Sequence, residues 1–351
     1  MKTQEKTSLG TLRISKDLQV YEKTKNSWKK SSKTLPQAMQ VIKLFKAHKN
    51  FKLLLDKKNP KFIKGQLSPE GKCQGSRINI LPDGQVLDKA YSLFAKNLTI
   101  HDESSHSHWD LIYQNPNGKF AYLYTLEKRK SYIIKKYQAV KEFEKSYPLL
   151  TKKITSSLSD KEDNMALPMY TLLKTYMRVG NEIYYKQHKH KGLTTLKKND
   201  ISIKGQEVTF NYLAKDGVPI KTTSKFHPLY IKRLKETLKP LKKSEFVFTN
   251  PLTHHPLQDK QFKEEFLKCC GKEFYPHIVR SYYATKKAKE FISSHKSASK
   301  QQVQELFLSI AEKLGHRRFN KKDHTWEENY NVTIHHYIQP ELVDKIKSLV
   351  Q

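Results

Sequence analysis

Five residues far apart in this chain have the types needed to transfer a phosphodiester: Arg178, Lys215, Arg280, His316 and Tyr337. A phenol oxygen such as that of Tyr337 can attack phosphorus, but its free pKa is about 10, so it needs a local positive field. The other four residues can supply that field. Each residue type is also common in a lysine-rich chain with many tyrosines, so the prediction depends on the whole set.

Cutting a phosphodiester without a metal sets definite electrostatic demands. Negative charge grows on the non-bridging oxygens in the transition state, and preorganised donors aimed at them give the main stabilisation. Arginine suits this role because it stays charged and binds phosphate in a bidentate manner. The leaving 5′ oxygen also needs a proton from a nearby acid. The set of five residues contains candidates for the nucleophile, for the donors to the non-bridging oxygens and for the acid.

The charge of the chain indicates a polyanionic partner. The 351 residues include 66 Lys+Arg against 34 Asp+Glu, giving a formal net charge of +32. Nucleic acid is the simplest partner for such a charge, and its binding should depend steeply on salt. A merely lysine-rich protein would show the same excess, so charge alone does not decide the function.

Three cysteines, at positions 73, 269 and 270, are too few for a disulfide framework. No apolar run approaches the length of a membrane span. We therefore expect an intracellular protein with no membrane partner, without distinguishing cytoplasm, nucleus and virion. There is no Walker-type phosphate loop and no carboxylate cluster of a two-metal nuclease. We expect chemistry without ATP, metal or other cofactors.

The hydrophobic pattern predicts an α+β fold with two domains, residues 1–130 and 131–351. The first is a small mixed α/β domain, with a helix over 37–55, a strand over 77–81 and a hairpin over 109–124.

The second domain is predicted to be mainly helical, with a small β-hairpin sheet. A helix that begins near Pro168 is expected to run to Val179, with Arg178 in its C-terminal half. Strands over 201–203, 208–214 and 218–226 flank two turns, and the second turn, Lys-Asp-Gly at 215–217, is a typical hairpin signal.

Several of these motifs resemble the type IB DNA topoisomerases, which share a superfamily with the tyrosine recombinases. The resemblance is especially to their small poxviral and bacterial-like forms. Arg-Val-Gly-Asn at 178–181 and Gly-Leu-Thr-Thr-Leu at 192–196 resemble the family's central signature. The Lys-Asp-Gly turn at 215–217, His-Ile-Val-Arg at 277–280 and Tyr-Ile-Gln-Pro at 337–340 are similar to its other boxes. The resemblance covers roughly residues 130–351.

The resemblance implies a role for each residue of the set. Tyr337 would attack phosphorus and form a 3′-phosphotyrosyl ester. Arg178 and Arg280 would hold the non-bridging oxygens, joined by one ring N–H of His316. Lys215 would be the general acid for the 5′ oxygen.

Two further residues would contact DNA. Tyr184 matches a family position near the scissile phosphate, although packing in the core is an alternative role. His277 stands where the family often has lysine, so it is a weaker candidate proton donor.

The spacing before the nucleophile departs from the family. His316 precedes Tyr337 by many more residues than usual, and residues 317–330 read as an insertion that would serve as a flexible linker. His324 within it is the alternative active-site histidine. His316 is favoured, because its Leu-Gly-His context follows an apolar helix over 303–314.

The resemblance implies a monomeric clamp that relaxes supercoiled DNA, with residues 1–130 as its N-terminal arm. Two alternatives stay open from the sequence: a tyrosine recombinase or integrase, and a basic DNA-binding protein without catalysis.

Overall fold

The structure is a computed structural model, and it describes residues 7–101 and 109–351. The chain divides into two compact units, residues 1–135 and residues 136–351. Among the described residues, no helix is both long and apolar enough to cross a membrane.

The N-terminal unit combines short antiparallel strands with one helix. Its described elements are β1 (Leu12–Ile14), β2 (Val20–Lys23), β3 (Trp28–Lys30), α1 (Pro36–Ala47), β4 (Gln66–Leu67), β5 (Cys73–Gln74), β6 (Ile78–Ile80), β7 (Val86–Tyr91), β8 (Lys96–Ile100), β9 (Leu111–Gln114) and β10 (Phe120–Leu123). They form three sheets with the strand orders β3-β2-β1-β4-β5, β6-β7 and β10-β9-β8. One core, which includes Ile14, Ile42, Phe45 and Leu111, joins the sheets to α1.

Two of the predicted elements in this unit are confirmed and one is wrong in part. The strand near 78 and the hairpin of β9 and β10 are present. The predicted helix over 37–55 instead ends at Ala47, and a separate 3-10 turn follows at Phe51–Leu54. Lys49 adopts a left-handed φ of 60°, which a continuing α-helix does not allow.

The second unit is mainly helical. Its helices are α2 (Leu126–Ser157), whose first residues belong to the N-terminal unit, α3 (Ala166–Thr175), α4 (Glu182–His188), α5 (Pro228–Leu238), α6 (Asp259–Cys270), α7 (Ile278–Ser294), α8 (Lys300–Lys313), α9 (Asn331–His336) and α10 (Pro340–Ser348). Its strands are β11 (Ile201–Lys204), β12 (Glu207–Leu213), β13 (Pro219–Lys225), β14 (Arg317–Asn320) and β15 (Thr325–Glu328).

An aromatic cluster packs α2 against α6 and α7. The Phe143 ring lies 5.7 Å from that of Phe266, 5.2 Å from that of Phe274 and 5.4 Å from that of Tyr282, all edge to face. Aromatic rings prefer this geometry because a positive ring edge meets a negative ring face. The cluster therefore fixes α7, the helix that carries Arg280.

The predicted hairpins of the second unit are confirmed as one antiparallel sheet in the order β11-β12-β13. On β12, buried Val208 and Phe210 alternate with more exposed neighbours, as a sheet with one covered face requires. The turn to β13 is Lys215–Gly217, where Asp216 and Gly217 both have positive φ, as in the favoured hairpin turns.

The helix that was expected to carry Arg178 stops before it. α3 ends at Thr175, and Tyr176 adopts a left-handed φ of 57° while its N–H donates to the carbonyl of Leu172. Residues 176–181 then form an irregular connection. The side chain of Asn181 accepts from the N–H of Tyr184, so α4 begins with its own N-cap.

The expected flexible linker at 317–330 is instead a β-hairpin followed by a short helix. β14 and β15 pair over four residues each, with Phe319 opposite Trp326. α9 then leads directly to Tyr337. The predicted fold class, a mixed N-terminal domain and a mainly helical catalytic domain with a small sheet, is confirmed.

Candidate active site

Two glycines hold the irregular segment that carries Arg178. The N–H of Leu193 donates to the Arg178 carbonyl over 2.8 Å. A Cβ on Gly192 would lie 2.6 Å from that same carbonyl oxygen, and a Cβ on Gly180 would lie 2.5 Å from Oγ1 of Thr195. No larger residue fits at either position. The Arg-Val-Gly-Asn and Gly-Leu-Thr-Thr-Leu motifs are thus two backbones in direct contact, which fixes the position of Arg178.

Arg280 is almost fully buried on α7, with 2% of its surface exposed. Its Nη1 donates to the Tyr176 carbonyl over 2.5 Å, and its Nη2 donates to the Leu314 carbonyl over 2.7 Å. Burial lowers the pKa of Arg280, yet arginine stays charged at neutral pH. Its Nε is buried without a hydrogen-bond partner in the described part of the chain. A buried guanidinium N–H that lacks an acceptor is suited to receive an anionic oxygen.

His316 lies directly against this guanidinium. Its Nε2 is 3.1 Å from Nη2 of Arg280, and its Nδ1 is 2.8 Å from Oγ1 of Thr333. Burial, reinforced by the charge of Arg280, lowers the pKa of His316 to about 2, so the ring is neutral at pH 7. Because arginine can only donate, Nε2 accepts and Nδ1–H donates to Thr333. Donation from Nε2 to a phosphate oxygen would require the ring proton to move between the two nitrogens.

The alternative histidine lies elsewhere. His324 is exposed in the turn of the β14–β15 hairpin, where it has a φ of 51° and its ring contacts that of Phe319 at 6.1 Å. The structure therefore groups His316, and not His324, with the arginines.

Tyr337 is buried, with 3% of its surface exposed, at the end of α9. Its Oη accepts from Nη2 of Arg178 over 3.1 Å and lies 2.8 Å from Nε2 of His277. Its ring is 5.2 Å from Cζ of Arg280 and 4.7 Å from the ring of His316. The phenol, both arginines and two histidines thus meet at one place.

The protonation state of His277 determines which of the two side chains donates in the hydrogen bond between Tyr337 and His277. Burial, followed by the charges of Arg280 and Arg178, lowers the pKa of His277 to about 3. The ring is therefore neutral at pH 7, and its nitrogen without a proton can accept a hydrogen bond. Since Arg178 already donates to the phenol oxygen of Tyr337, the phenol O–H is free to donate to Nε2. The geometry therefore suits Nε2 of His277 as a hydrogen-bond acceptor for the phenol, whereas the sequence suggested a weak proton donor.

Lys215 and Tyr184 line cavities that Arg178 also lines. A cavity of about 520 Å³ is lined by Arg178, Lys215, Arg280 and His316, among others. A second cavity, of about 300 Å³, is lined by Arg178, Lys215, His277 and Tyr184. Lys215 is exposed on its turn, and Tyr184 is 52% exposed on α4 rather than packed in the core.

Sequence reasoning missed two residues of this site. Thr333, which is fully buried, contacts the ring of His316, and its backbone carbonyl accepts from the N–H of Tyr337 over 3.0 Å.

Tyr212 lines the larger cavity, and burial raises its pKa to about 12 although Arg280 and Arg178 act in the opposite direction. It is therefore a protonated O–H donor at neutral pH. Only strand alternation with Val208 and Phe210 could have indicated that Tyr212 points inward.

A sequence model of the family described as eukaryotic DNA topoisomerase I, catalytic core, matches residues 127–339, more than half of the chain. The chain belongs to this family. The predicted type IB topoisomerase relationship is thereby confirmed, and the match places the protein in a family of type I topoisomerases that act on DNA. Its narrower likeness to the small poxviral and bacterial-like forms stays a prediction.

Solved structures with similarity to this topoisomerase family member include the pre-cleavage complex of the XerH site-specific recombinase bound to difH substrate. The TM-score is 0.33 at 18% identity, and the match covers 49% of this chain and 50% of that chain. The chain thus spans about half the length of the recombinase, and so distant a likeness has no bearing on function. A search of curated proteins found no match.

Proposed function

We propose that the protein relaxes supercoiled duplex DNA by transient cleavage of one strand through a 3′-phosphotyrosyl intermediate at Tyr337, without ATP or metal. The observation that carries this proposal is the position of the phenol oxygen of Tyr337. It lies within hydrogen-bond distance of Arg178 and His277, and Arg280 and His316 contact its ring. Membership of the topoisomerase I family supports the same reaction.

In the cleavage step, the oxygen of Tyr337 forms a bond to phosphorus and loses its proton along its hydrogen bond to Nε2 of His277, from which the proton passes to solvent because the low pKa of this ring does not let it keep a proton. Arg178 and the free Nε of Arg280 stabilise the charge on the non-bridging oxygens. The bond from phosphorus to the 5′ oxygen breaks, and Lys215 supplies the proton that this leaving oxygen requires. The exposed position of Lys215 on a short turn lets its amine reach either cavity.

Resealing runs the same steps in reverse. Torsion in the duplex rotates the free 5′ end, and its hydroxyl then attacks the phosphotyrosine. The ester conserves the energy of the broken bond, so no nucleotide is consumed. In this proposal the protein acts as a monomer, with residues 1–130 as the second arm of a clamp and the net charge of +32 drawing the duplex in.

The test is relaxation of supercoiled plasmid in EDTA and without ATP. The wild-type protein should relax the plasmid, and Tyr337→Phe should not, because phenylalanine has no nucleophilic oxygen. Tyr330→Phe is the matched control, since Tyr330 lies just upstream and packs against Phe307 with ring centroids 5.7 Å apart. Binding of Tyr337→Phe to a linear duplex should equal that of the wild type at the same salt concentration.

Full relaxation by Tyr337→Phe would refute the proposal. A wild-type protein that binds DNA but neither relaxes it nor forms an adduct resistant to detergent would indicate a DNA-binding protein without catalysis. Transfer of strands between two duplexes, in the absence of plasmid relaxation, would indicate a recombinase.

A further inference from the structure

Two neighbouring residues of α2 hold the backbone on both sides of Tyr337. The ammonium of Lys136 donates to the carbonyl of His336. The hydroxyl of Tyr137 donates to the carbonyl of Ile338 over 2.6 Å. Adjacent residues of one helix thus contact the residue before and the residue after the tyrosine.

These carbonyls lie where regular structure does not satisfy them. α9 ends at His336 and α10 begins at Pro340, so Tyr337 and its neighbours form the connection between two short helices. The carbonyl of His336 is the last of α9, and such carbonyls have no partner within their helix, while the carbonyl of Ile338 lies in the connection itself. Tyr137 is itself buried, with 7% of its surface exposed, which makes its donor a fixed one.

Lys136 also places positive charge beside the phenol. Its Nζ lies 5.6 Å from the centroid of the Tyr337 ring. Burial lowers the pKa of Lys136 to about 8, so the side chain is still mostly protonated at neutral pH. A cation near an aromatic ring is attracted to it, and the attraction grows as the ring oxygen gains negative charge.

We propose that Lys136 and Tyr137 are positioning residues that hold the nucleophile segment, residues 336–338, in place for strand cleavage and resealing. They act through Tyr337 and need not touch DNA. The inference rests on the proposed function, since it takes Tyr337 as the nucleophile. Misplacing a reacting group by about 1 Å can cost about 100-fold in rate, so two contacts on the flanking carbonyls can control the reaction.

The experiment measures single-turnover cleavage of a duplex whose short 5′-leaving strand dissociates after the cut, so that the covalent adduct accumulates. Lys136→Met keeps most of the length of the side chain but removes its charge and its donors. We expect about tenfold slower adduct formation, with the dissociation constant for DNA within about twofold of wild type. Lys136→Arg restores a charged donor and should recover the rate to within about threefold.

Tyr137→Phe tests the second contact without changing charge, and we expect about fivefold slower cleavage. Because both contacts hold one segment, the double variant should be slower by less than the product of the two single effects. Lys141→Met, at an exposed position of the same helix, is the control for charge and should cleave at the wild-type rate. Thermal unfolding of each variant shows whether it folds.

The inference is overturned if folded Lys136→Met and Tyr137→Phe both cleave at the wild-type rate, or if Lys136→Arg is as slow as Lys136→Met. It is also overturned if Lys136→Met weakens DNA binding in proportion to its loss of rate, since Lys136 would then be a phosphate contact. Should Lys136→Met fail to fold, the rates of Lys136→Arg and Tyr137→Phe decide. Absence of any adduct in the wild type would instead refute the proposed function.

Discussion

The segment that carries Arg178 and the hairpin that precedes Tyr337 both connect helices of the catalytic unit, yet they are held in different ways. Residues 176–181 have no regular structure, but their backbone contacts Gly192 so closely that a Cβ there does not fit. The hairpin of β14 and β15 has regular pairing and a largely exposed surface, with Phe319 and Trp326 in ring contact at 5.2 Å.

This difference shows which connections the site depends on. Arg178 is placed by packing of backbone against backbone, which tolerates no added atom. The hairpin can lengthen the chain between His316 and Tyr337 without moving either, because Thr333 contacts the ring of the first and the backbone of the second. We therefore expect substitutions in the two segments to have unequal effects.

The largest effect is expected from Gly192→Ala. Its φ of −142° is open to any residue, so the cost comes from the Cβ that would meet the Arg178 carbonyl. We expect destabilisation by about 1–3 kcal/mol and at least about 100-fold slower cleavage, measured by urea unfolding and single-turnover kinetics. Gly205→Ala, in a turn with a φ of +59° and open space around it, is the control that should lose stability but keep its cleavage rate. Equal cleavage rates for Gly192→Ala and Gly205→Ala would show that Arg178 does not depend on the close backbone contact at Gly192.

The two histidines provide the next test. His316→Ala removes a ring that contacts Arg280, Thr333 and Tyr337, and we expect about 100-fold slower cleavage. His324→Ala changes an exposed turn of the hairpin and should alter the rate by less than about twofold. A slower rate for His324→Ala than for His316→Ala would assign the active-site histidine to the hairpin.

The buried state of His316 also predicts how stability depends on pH. Its pKa is lowered to about 2 in the folded protein, against an ordinary value of 6.5, so the unfolded chain binds more protons between these values. Stability should therefore be full above pH 6.5 and fall as the pH drops below it, by up to about 1.4 kcal/mol per pH unit for this residue. His316→Asn should flatten the slope of unfolding free energy between pH 6.5 and 5. An unchanged slope would contradict the buried neutral ring.

The smallest effect is expected from Phe319→Ala on β14. The ring contact of Phe319 with Trp326 is a cross-strand pair on an exposed surface, which contributes about 0.2–1 kcal/mol. Cleavage should stay within about twofold of wild type. A large loss of cleavage in a variant of wild-type stability would show that the hairpin contributes to the site.

The order of the elements could be predicted from the sequence because it depends on local periodicity and turns. The sheet of the second unit is an example, since its Lys-Asp-Gly turn at 215–217 has an unambiguous signal. The end of α3 was missed because Tyr176, a residue without a helix-stop signature, takes the left-handed conformation. Asn181 was the available signal, as a typical N-cap that implies a new helix after Arg178.

The candidate site was predictable in its residue types but not in its contacts. Arg178, Arg280, His316 and Tyr337 were identified from motifs, whereas the roles of Thr333 and Lys136 depend on distances across the fold. Lys136 is one of many lysines in the chain, and nothing in its local sequence marks it. The β14–β15 hairpin could not be predicted, because its turn has neither glycine nor proline to mark it.

The central claim is that the phenol oxygen beside Arg178 is the atom that joins DNA. The most direct test is to trap the adduct on a labelled duplex, digest the protein and locate the modified residue by mass spectrometry. We predict that the label will be found on Tyr337, attached to the 3′ phosphate of the cut strand. Attachment to another of the 19 tyrosines, or to the 5′ phosphate, would contradict the account.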